Sequence, residues 1–348
     1  MNGRELTIRA LEFKQPDRIP LYLSTAPWKS DVVAALLFPP RGWKPRNRKY
    51  IPRSPFSIVT SPLRKGKKHL MDEFGSIWYV PGNETLGQVV DPRVIPTWND
   101  LKDFKIPQKT SKGRLWFAKF LFRVFGRGKY LLGSLDNFFF ERMHFLRGFA
   151  NLLRDIKRNS EQLKALGERL AEWYCWEVDQ LIKLGADGIM TTDDWGTNQS
   201  TFISPRDFDE IFKPLYQTVA ERIHDSGMHF WLHSCGNIYY LIPKLIDAGV
   251  DCLQLDSPRQ TGLDKLREFA GKVCYCNVAD ISTVIPYKTP KEVEAEVLQM
   301  VKTLGPFQGG LIGTIYADLG AVHFPKANMQ ACTRAYRRFG RYGEYPLL

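Results

Sequence analysis

The sequence predicts an α/β fold, and within that class a (β/α)8 (TIM) barrel with basic insertions. Short apolar segments alternate with longer helical segments from about residue 130 onward, and two further strands are predicted nearer the N-terminus. Apolar strands without alternation indicate a parallel sheet covered on both faces. A closed barrel is the simplest arrangement of eight such strands. An open, doubly wound sheet is the alternative, but no glycine-rich dinucleotide loop follows the first strand.

Eight short apolar segments are the predicted strands. They cover residues 18–23, 76–80, 130–135, 187–192, 229–233, 251–255, 273–277 and 311–315. Helices are predicted over residues 4–12, 139–156, 161–184, 204–225, 237–247, 262–269, 291–304 and 326–338. The fourth of these helices has the clearest boundaries, because Ser204 suits an N-cap, Pro205 the first helical position and Gly227 the C-terminal end.

The predicted organisation is one barrel domain over residues 1–348 with two insertions. A length of 348 residues is long for an average domain but normal for a barrel of this class. The first insertion, at about 39–70, is rich in proline and is predicted to be an excursion between the first two barrel strands. The second, at about 104–129, contains a basic, aromatic helix whose apolar face is expected to pack on the barrel rather than enter a membrane.

Composition excludes several classes of protein. A hydrophobic fraction of 44% and a charged fraction of 25% are close to the average of globular domains, so a disordered, collagen-like or disulfide-scaffold chain is excluded. No apolar run is long enough for a transmembrane helix. The N-terminus carries both signs of charge and no apolar stretch, so no signal peptide is predicted. Six scattered cysteines favour a reducing compartment, and the predicted location is the cytoplasm.

The positive charge is concentrated in two segments. The net charge is +12, yet residues 41–70 hold ten Lys and Arg residues without an acid, and residues 104–135 hold eight more, which leaves −6 for the rest. Such a surface suits an acidic protein partner, a nucleic acid, an anionic substrate or a membrane surface, or is simply solvated. No nucleic-acid-binding module is recognisable, so nucleic acid is not among the predicted partners. The sequence leaves the oligomeric state open and allows a homo-oligomer.

Polar side chains follow most of the predicted strands, where the reactive groups of a (β/α)8 barrel lie. These residues are Asp136, Asp193, Asp194, His233, Cys235, Gln254, Asp256, Cys276, Asn277, Asp280, Tyr316 and Asp318. Within this group Gln254, Asn277 and Tyr316 are the candidates for binding substrate. No G-x-S-x-G elbow, P-loop or H-E-x-x-H motif occurs, which excludes the corresponding hydrolase, nucleotide and zinc-protease chemistries.

The sharpest local pattern is His233-Ser-Cys235-Gly236. Residues two apart on a strand point the same way, so His233 and Cys235 could bind one metal ion, and zinc suits mixed nitrogen and sulfur ligands. Gly236 would let the chain turn tightly. Zinc needs a further ligand, for which the candidates are Cys276, Asp256, Asp318 and His323. The alternative is a metal-free pair that packs and hydrogen-bonds at the strand end.

A second pattern is Asp193-Asp194-Trp195-Gly196, after the fourth predicted strand. Adjacent carboxylates point in different directions, so one of them could bind a substrate group or donate a proton, with Trp195 as an aromatic platform for the substrate. The structural alternative is that one aspartate caps a turn and Trp195 fills a lid.

Four segments together resemble the uroporphyrinogen decarboxylase superfamily. They are RALEFKQPDRIPLYL, LRGFANLLRDIKRN, GADGIMTTDDWGTNQSTFISPRDFDEIFKPLY and HSCGNIYYLIPKLIDAGVDCLQLDSP. The resemblance extends from about residue 4 to 340, apart from the two basic insertions, and implies a (β/α)8 barrel. It also implies one of two activities: cofactor-free decarboxylation of uroporphyrinogen, or methyl transfer involving a corrinoid protein, usually on zinc held by a His-x-Cys pair and a later cysteine.

The resemblance favours the methyltransferase branch over the decarboxylases. Decarboxylases carry an arginine-rich segment after the first strand, whereas residues 24–28 read STAPW, although basic residues of 41–70 could substitute. His233 and Cys235 match the methyltransferase pair, but no cysteine occurs near Tyr316 and Asp318, where the third ligand would fall, so Asp318 or Cys276 would replace it.

The resemblance therefore implies a zinc-assisted methyltransferase that moves a methyl group between a small methoxy or methylamine-type substrate and a corrinoid protein. His233 and Cys235 would be ligands, and Asp193, Asp194 and Asp256 would position or protonate the substrate. An acidic corrinoid protein could dock on the basic segments. Two alternatives remain: a cofactor-free decarboxylase of uroporphyrinogen or another carboxylated substrate, and a non-catalytic ligand-binding barrel.

Overall fold

The computed structural model describes residues 1–53, 68–80, 87–316 and 324–342. Its strands are β1 (Leu21–Tyr22), β2 (Val32–Leu36), β3 (Ile51–Pro52), β4 (Lys68–Met71), β5 (Ile77–Val80), β6 (Gln88–Val90), β7 (Tyr130–Asn137), β8 (Gly188–Thr192), β9 (His229–His233), β10 (Cys252–Leu255), β11 (Cys274–Asn277) and β12 (Leu311–Thr314). Its helices are α1 (Gly3–Leu11), α2 (Trp116–Phe125), α3 (Phe139–Arg147), α4 (Phe149–Lys157), α5 (Glu161–Ile182), α6 (Lys213–His224), α7 (Ile242–Asp247), α8 (Pro258–Thr261), α9 (Leu263–Arg267), α10 (Pro290–Leu304) and α11 (Lys326–Phe339).

Eight parallel strands form a nearly closed barrel, which confirms the predicted fold class. Their order is β1–β12–β11–β10–β9–β8–β7–β2. Ser30 links β1 and β2, the two ends of this order. Its Oγ accepts the backbone N–H groups of Leu23, just after β1, at 2.8 Å and of Val32 in β2 at 3.2 Å. The same hydroxyl donates to the carbonyl of Val32 at 2.6 Å. The barrel interior is filled by apolar side chains such as Trp231, Cys274 and Ile312.

The second barrel strand is not the predicted one. Residues 76–80 were expected there, but β5 lies in a separate four-stranded sheet of order β3–β4–β5–β6. The barrel strand is β2, which pairs with β7 in parallel register from Val32 opposite Tyr130 to Leu36 opposite Ser134. The basic segment after residue 39 therefore follows the second barrel strand, and its predicted place between the first two strands was wrong.

Most predicted helices are present, with small differences at their ends. The segment predicted as one helix over 139–156 is divided into α3 and α4 at Gly148, whose φ of +85° favours glycine. The Ser204 side chain accepts the N–H of Asp207 as predicted for an N-cap, and a π-helical segment, Phe208–Phe212, leads from there into α6. None of the helices in the described ranges combines the length and apolarity that crossing a bilayer requires.

Ion pairs of two buried arginines join the four-stranded sheet to the barrel. Arg142 of α3 donates to Asp72 beside β4 and to Asp136 of β7, both at 2.9 Å. Arg114 forms a two-pronged contact with Glu73 at 2.6 and 2.7 Å. Removing one member of such a buried pair typically costs about 3–5 kcal/mol, because the remaining charge is left uncompensated. These contacts line a cavity of about 90 Å³ that also adjoins Glu177 of α5.

Glu177, the acid beside this cavity, provides a test of the fold. Burial, opposed by Arg114 and aided by Glu73, raises the pKa of Glu177 to about 8. The folded chain therefore holds a proton that the unfolded chain releases at lower pH, so this group loses its stabilising contribution as pH rises through 8. We expect Glu177→Gln to match the wild type at pH 5 and to exceed its free energy of unfolding by a few kcal/mol, roughly, at pH 9.

Urea unfolding of both proteins between pH 5 and pH 9 measures this difference. Glu168→Gln, at an exposed position of the same helix, is the matched control and should follow the wild type at every pH. Parallel curves for Glu177→Gln and the wild type would show that Glu177 is ionised in the folded protein.

Candidate metal centre

Strand register brings the candidate residues to one end of the barrel. His233 is the last residue of β9 and lies opposite Thr192 of β8 and Gln254 of β10. Gln254 in turn lies opposite Cys276 of β11. Because these strands are parallel, their carboxyl ends and the loops that follow them meet at the same rim.

Asp194, His233 and Cys235 form a group at this rim that could hold a metal ion. One donor atom from each lies within 4.8 Å of the others. The Cys235 sulfur is 3.4 Å from Nε2 of His233, and Oδ1 of Asp194 is 3.6 Å from the same nitrogen. The backbone N–H of Cys235 donates to this Asp194 oxygen at 2.8 Å, which fixes the carboxylate beside the thiol.

Two glycines allow the loops after β8 and β9 to touch. A Cβ on Gly236 would lie 2.2 Å from the backbone of Gly196, and one on Gly196 would lie 2.7 Å from that of Asn237. The φ of Gly236 is +85°, and the N–H of Gly196 donates to the carbonyl of Cys235. The tight turn predicted at Gly236 is thus present. It brings Cys235 back toward Asp194.

A chain of hydrogen bonds orients the imidazole of His233. Its Nδ1 lies within hydrogen-bond distance of Oε1 of Gln254, whose own amide nitrogen donates to Asp256 at 2.7 Å. Since Oε1 only accepts, Nδ1 carries the proton in this arrangement, a tautomer assigned from the partners. Nε2 then faces Cys235 and Asp194, and in the neutral ring its lone pair can bind a metal ion, the arrangement typical of metal-binding histidines.

The charges around His233 favour a cation. Burial opposes protonation of the ring, but Cys235, Asp256 and Asp194 outweigh it and hold the pKa of His233 well above its usual value. Burial raises the pKa of the Cys235 thiol, whereas the charge of His233 lowers it. The shift of His233 reflects a local excess of negative charge, which a proton or a metal ion can neutralise.

Glu141 is a site residue that the sequence analysis missed. It lies on α3, and its Oε2 accepts from Asn137 and from Thr192, both at 3.0 Å. Burial and the charge of Asp194 raise the pKa of Glu141 to about 7. A carboxyl with that pKa can give or take a proton near neutral pH. Its place in the first turn after a barrel strand was the available signal.

The two adjacent aspartates have different surroundings. Asp193 is fully buried and accepts the N–H groups of Phe140 (3.1 Å) and Glu141 (2.8 Å) at the start of α3, and the hydroxyl of Tyr216 (2.6 Å). Asp194, with a side chain 40% exposed, faces His233. The contacts of Asp193 are those of a helix cap, whereas Asp194 takes part in the metal group.

Trp195 is fully buried, so it offers no open face to a substrate. Its indole N–H donates to the hydroxyl of Tyr216 at 3.1 Å, and its ring packs 4.6 Å from that of Phe140. This is the packing role that the sequence left open as its alternative.

The remaining candidates lie on β10 to β12. Gln254 and Asp256 support His233, as described above. Cys276 is buried in the barrel interior and does not belong to the metal group, so Asp194 rather than Cys276 accompanies His233 and Cys235. Asn277 is also buried, and as the neighbour of Cys276 on β11 its side chain lies on the opposite face of the strand. Its amide atoms have no hydrogen-bond partner among the described residues. Tyr316 follows β12 against Phe324; Asp318 and His323 lie outside the described residues.

Comparison with known proteins decides the family. The model of the uroporphyrinogen decarboxylase (URO-D) family matches residues 141–336, more than half of the chain. The chain belongs to the uroporphyrinogen decarboxylase family. The matched region contains all members of the metal group together with Glu141, so the site is built from the family's own part of the chain.

One solved structure supports the barrel fold. A methyltransferase from Methanosarcina mazei is similar over 97% of this chain and 99% of its own, with a TM-score of 0.69 and 14% identity. A B12-independent methionine synthase from Shewanella sp. W3-18-1 is similar over 78% of this chain and 74% of its own, with a TM-score of 0.45 and 12% identity. A search of curated protein sequences finds no match. At such identities the likeness to the first structure shows the fold alone.

Replacing each aspartate in turn should separate their roles. Asp193→Ala leaves two buried N–H groups and a tyrosine hydroxyl without an acceptor, so we expect the free energy of unfolding to fall by roughly 2–4 kcal/mol. Asp194→Ala removes one acceptor at a half-exposed position and should cost less than about 1 kcal/mol. Urea unfolding in the presence of a chelator measures both without a contribution from metal binding. Equal losses in the two variants would contradict the division of roles.

Proposed function

We propose that the protein is a zinc-assisted methyltransferase that moves a methyl group between a small methylated substrate, of the methoxy or methylamine type, and a corrinoid protein. The observation that carries this proposal is the Asp194–His233–Cys235 group at the rim of a uroporphyrinogen decarboxylase-family barrel. The similar structure from Methanosarcina mazei is described as a methyltransferase, which agrees with the proposal but contributes only its fold.

The donor set fits zinc. Nitrogen, sulfur and carboxylate oxygen are the usual ligands of zinc. When the metal–ligand bonds are about 2.0–2.3 Å long, two ligand atoms of a tetrahedral ion lie about 3.3–3.6 Å from each other. The separations of 3.4 and 3.6 Å from Nε2 of His233 agree with this spacing. Three protein ligands with a fourth position open to substrate are typical of catalytic zinc. The site therefore requires no ligand from Cys276.

The chain's own residues would supply orientation and a proton. A bound zinc ion supplies Lewis-acid polarisation of the substrate heteroatom. Gln254, held by Asp256, keeps the His233 ring in place. When the methyl group leaves for the corrinoid, the electron pair of the carbon–heteroatom bond stays on the heteroatom, which takes up a proton. Glu141, with its pKa of about 7, is suited to give that proton and, in the reverse direction, to remove it.

Metal analysis of four variants tests the ligand set. Protein purified without chelator should contain about one zinc ion per chain, as expected for a single three-ligand site. His233→Ala and Cys235→Ala should lose it, and Asp194→Asn should bind zinc at least about tenfold more weakly in competition with a chelator. Cys276→Ser is the matched control and should retain the metal, because Cys276 lies outside the group. Mass spectrometry of the metal content gives the result.

Two outcomes would overturn this ligand set. Zinc lost from Cys276→Ser but retained by Asp194→Asn would show that the third ligand is the buried cysteine. A wild-type protein without zinc would remove the metal from the proposal and direct attention to a metal-free reaction.

Methyl transfer itself can be followed by the absorption spectrum of a corrinoid. Zinc-loaded protein should convert cob(I)alamin to methylcobalamin with a methoxylated or methylamine-type donor. Glu141→Gln should lower the rate by about 10²- to 10⁴-fold, the usual contribution of a positioned acid, while Glu168→Gln has no effect. Anaerobic incubation with uroporphyrinogen is the parallel assay. Loss of its carboxylates, with no methyl transfer, would instead identify a decarboxylase.

A further inference from the structure

We propose that the outer face of α2 binds the surface of an anionic lipid bilayer. The exposed residues of this face are Trp116, Lys119, Phe120, Arg123, Val124 and Arg127, which continues the face just beyond the helix end. They recur at intervals of three and four, so they form one stripe along the helix. The proposal is independent of the reaction at the barrel rim.

The helix has two apolar sides, and only one of them is explained by the barrel. Ala118 and Phe122 are buried in one cluster with Val33 and Ala35 of β2, as expected from the sequence. On the other side Trp116 is 49%, Phe120 52% and Val124 53% exposed, and the buried part of the Trp116 ring contacts Phe38 at a centroid distance of 5.5 Å. A helix that only covers a barrel strand needs one apolar stripe, and its outer face is ordinarily polar. The large exposed side chains of α2 therefore need a different explanation.

The charge on the outer face has a single sign. Lys119, Arg123 and Arg127 lie between and beyond the apolar side chains, and no acid occurs between residues 104 and 135. The first basic segment meets the second at the start of the helix, where the N–H of Arg41 donates to the carbonyl of Lys112 at 3.0 Å. The start of the first basic segment, at Arg41, thus lies beside the second basic segment. Anionic headgroups are complementary to this charge.

The combination of groups favours lipid over protein or nucleic acid. Aromatic rings flanked by Lys and Arg are typical of elements that lie in the membrane interface, with rings among the acyl chains and cations at the phosphates. Trp, Phe and Arg are frequent in protein interfaces as well, but no acid occurs between residues 104 and 135, so this face is complementary to an anionic surface. The phosphates of a nucleic acid provide no apolar layer in which Val124 could be buried, whereas a bilayer does. A protein that delivers a group to the metal site must cover the carboxyl ends of the strands. The α2 face, by contrast, lies on the outer wall of the barrel along β2.

Vesicle co-sedimentation of the full chain tests the proposal. We expect binding to vesicles of phosphatidylcholine mixed with phosphatidylglycerol, little binding to phosphatidylcholine alone, and weaker binding as salt rises. Trp116→Ala/Phe120→Ala and Lys119→Glu/Arg123→Glu should each lower the partition coefficient at least about tenfold, because apolar burial and charge both contribute. Trp116 and Phe120 are about half exposed and the two basic residues are exposed, so the variants should keep the circular dichroism spectrum of the wild type. The ring contacts of Trp116 with Phe38 and Phe117 are lost.

Matched variants at other exposed positions are the controls. Tyr287→Ala removes an exposed ring, and Lys272→Glu/Lys291→Glu reverses two exposed charges, and neither should change vesicle binding. Equal loss in Lys272→Glu/Lys291→Glu would show that only net charge matters, and equal loss in Tyr287→Ala would show that any exposed ring contributes. Either result would overturn the proposal. Absence of vesicle binding would overturn it as well. The proposal would also be overturned if the wild type self-associated and Trp116→Ala/Phe120→Ala did not, because a second copy of the chain would then cover the outer face of α2.

Discussion

Hydrogen bonding between parallel strands determines which side chains meet at the rim of the barrel. In this register His233 lies between Thr192 and Gln254, and all three point to the same side of the sheet. A slip of one residue in β9 would turn His233 toward the helices and leave Cys235 without its partner. The metal group, the orienting amide and the neighbouring hydroxyl are therefore consequences of one backbone arrangement.

The opposite orientations of two adjacent side chains in the loop after β8 explain why the two aspartates have different roles. Asp193 turns into the protein and holds the first turn of α3, while Asp194 turns toward His233. The helix that Asp193 holds carries Glu141, whose own ionisation responds to the charge of Asp194. One short sequence thus positions both the candidate metal ligand and the candidate proton donor. The contact between Gly196 and Gly236 keeps the two loops at a fixed separation.

The sequence predicts the parts of the molecule that local pattern controls. Apolar runs located seven of the eight barrel strands, and their ends identified His233 and Cys235. Val32–Leu36 escaped because Ala34 and Ala35 have weak strand preference and the segment runs directly into Pro39 and Pro40. The choice of Asp194 over Cys276 depends on how the loops after β8 and β9 fold together, which residue spacing does not reveal. Glu141 was missed because its pKa depends on burial and on the charge of another loop.

The position of α2 has a geometric consequence for any encounter at the metal site. Helices of a (β/α)8 barrel run roughly parallel to its axis, so a molecule resting on the outer wall at α2 would lie on its side. Its open end would then face along the bilayer rather than into it or away from it. A partner held at the same surface would approach by diffusion in two dimensions and would meet the open end edge-on.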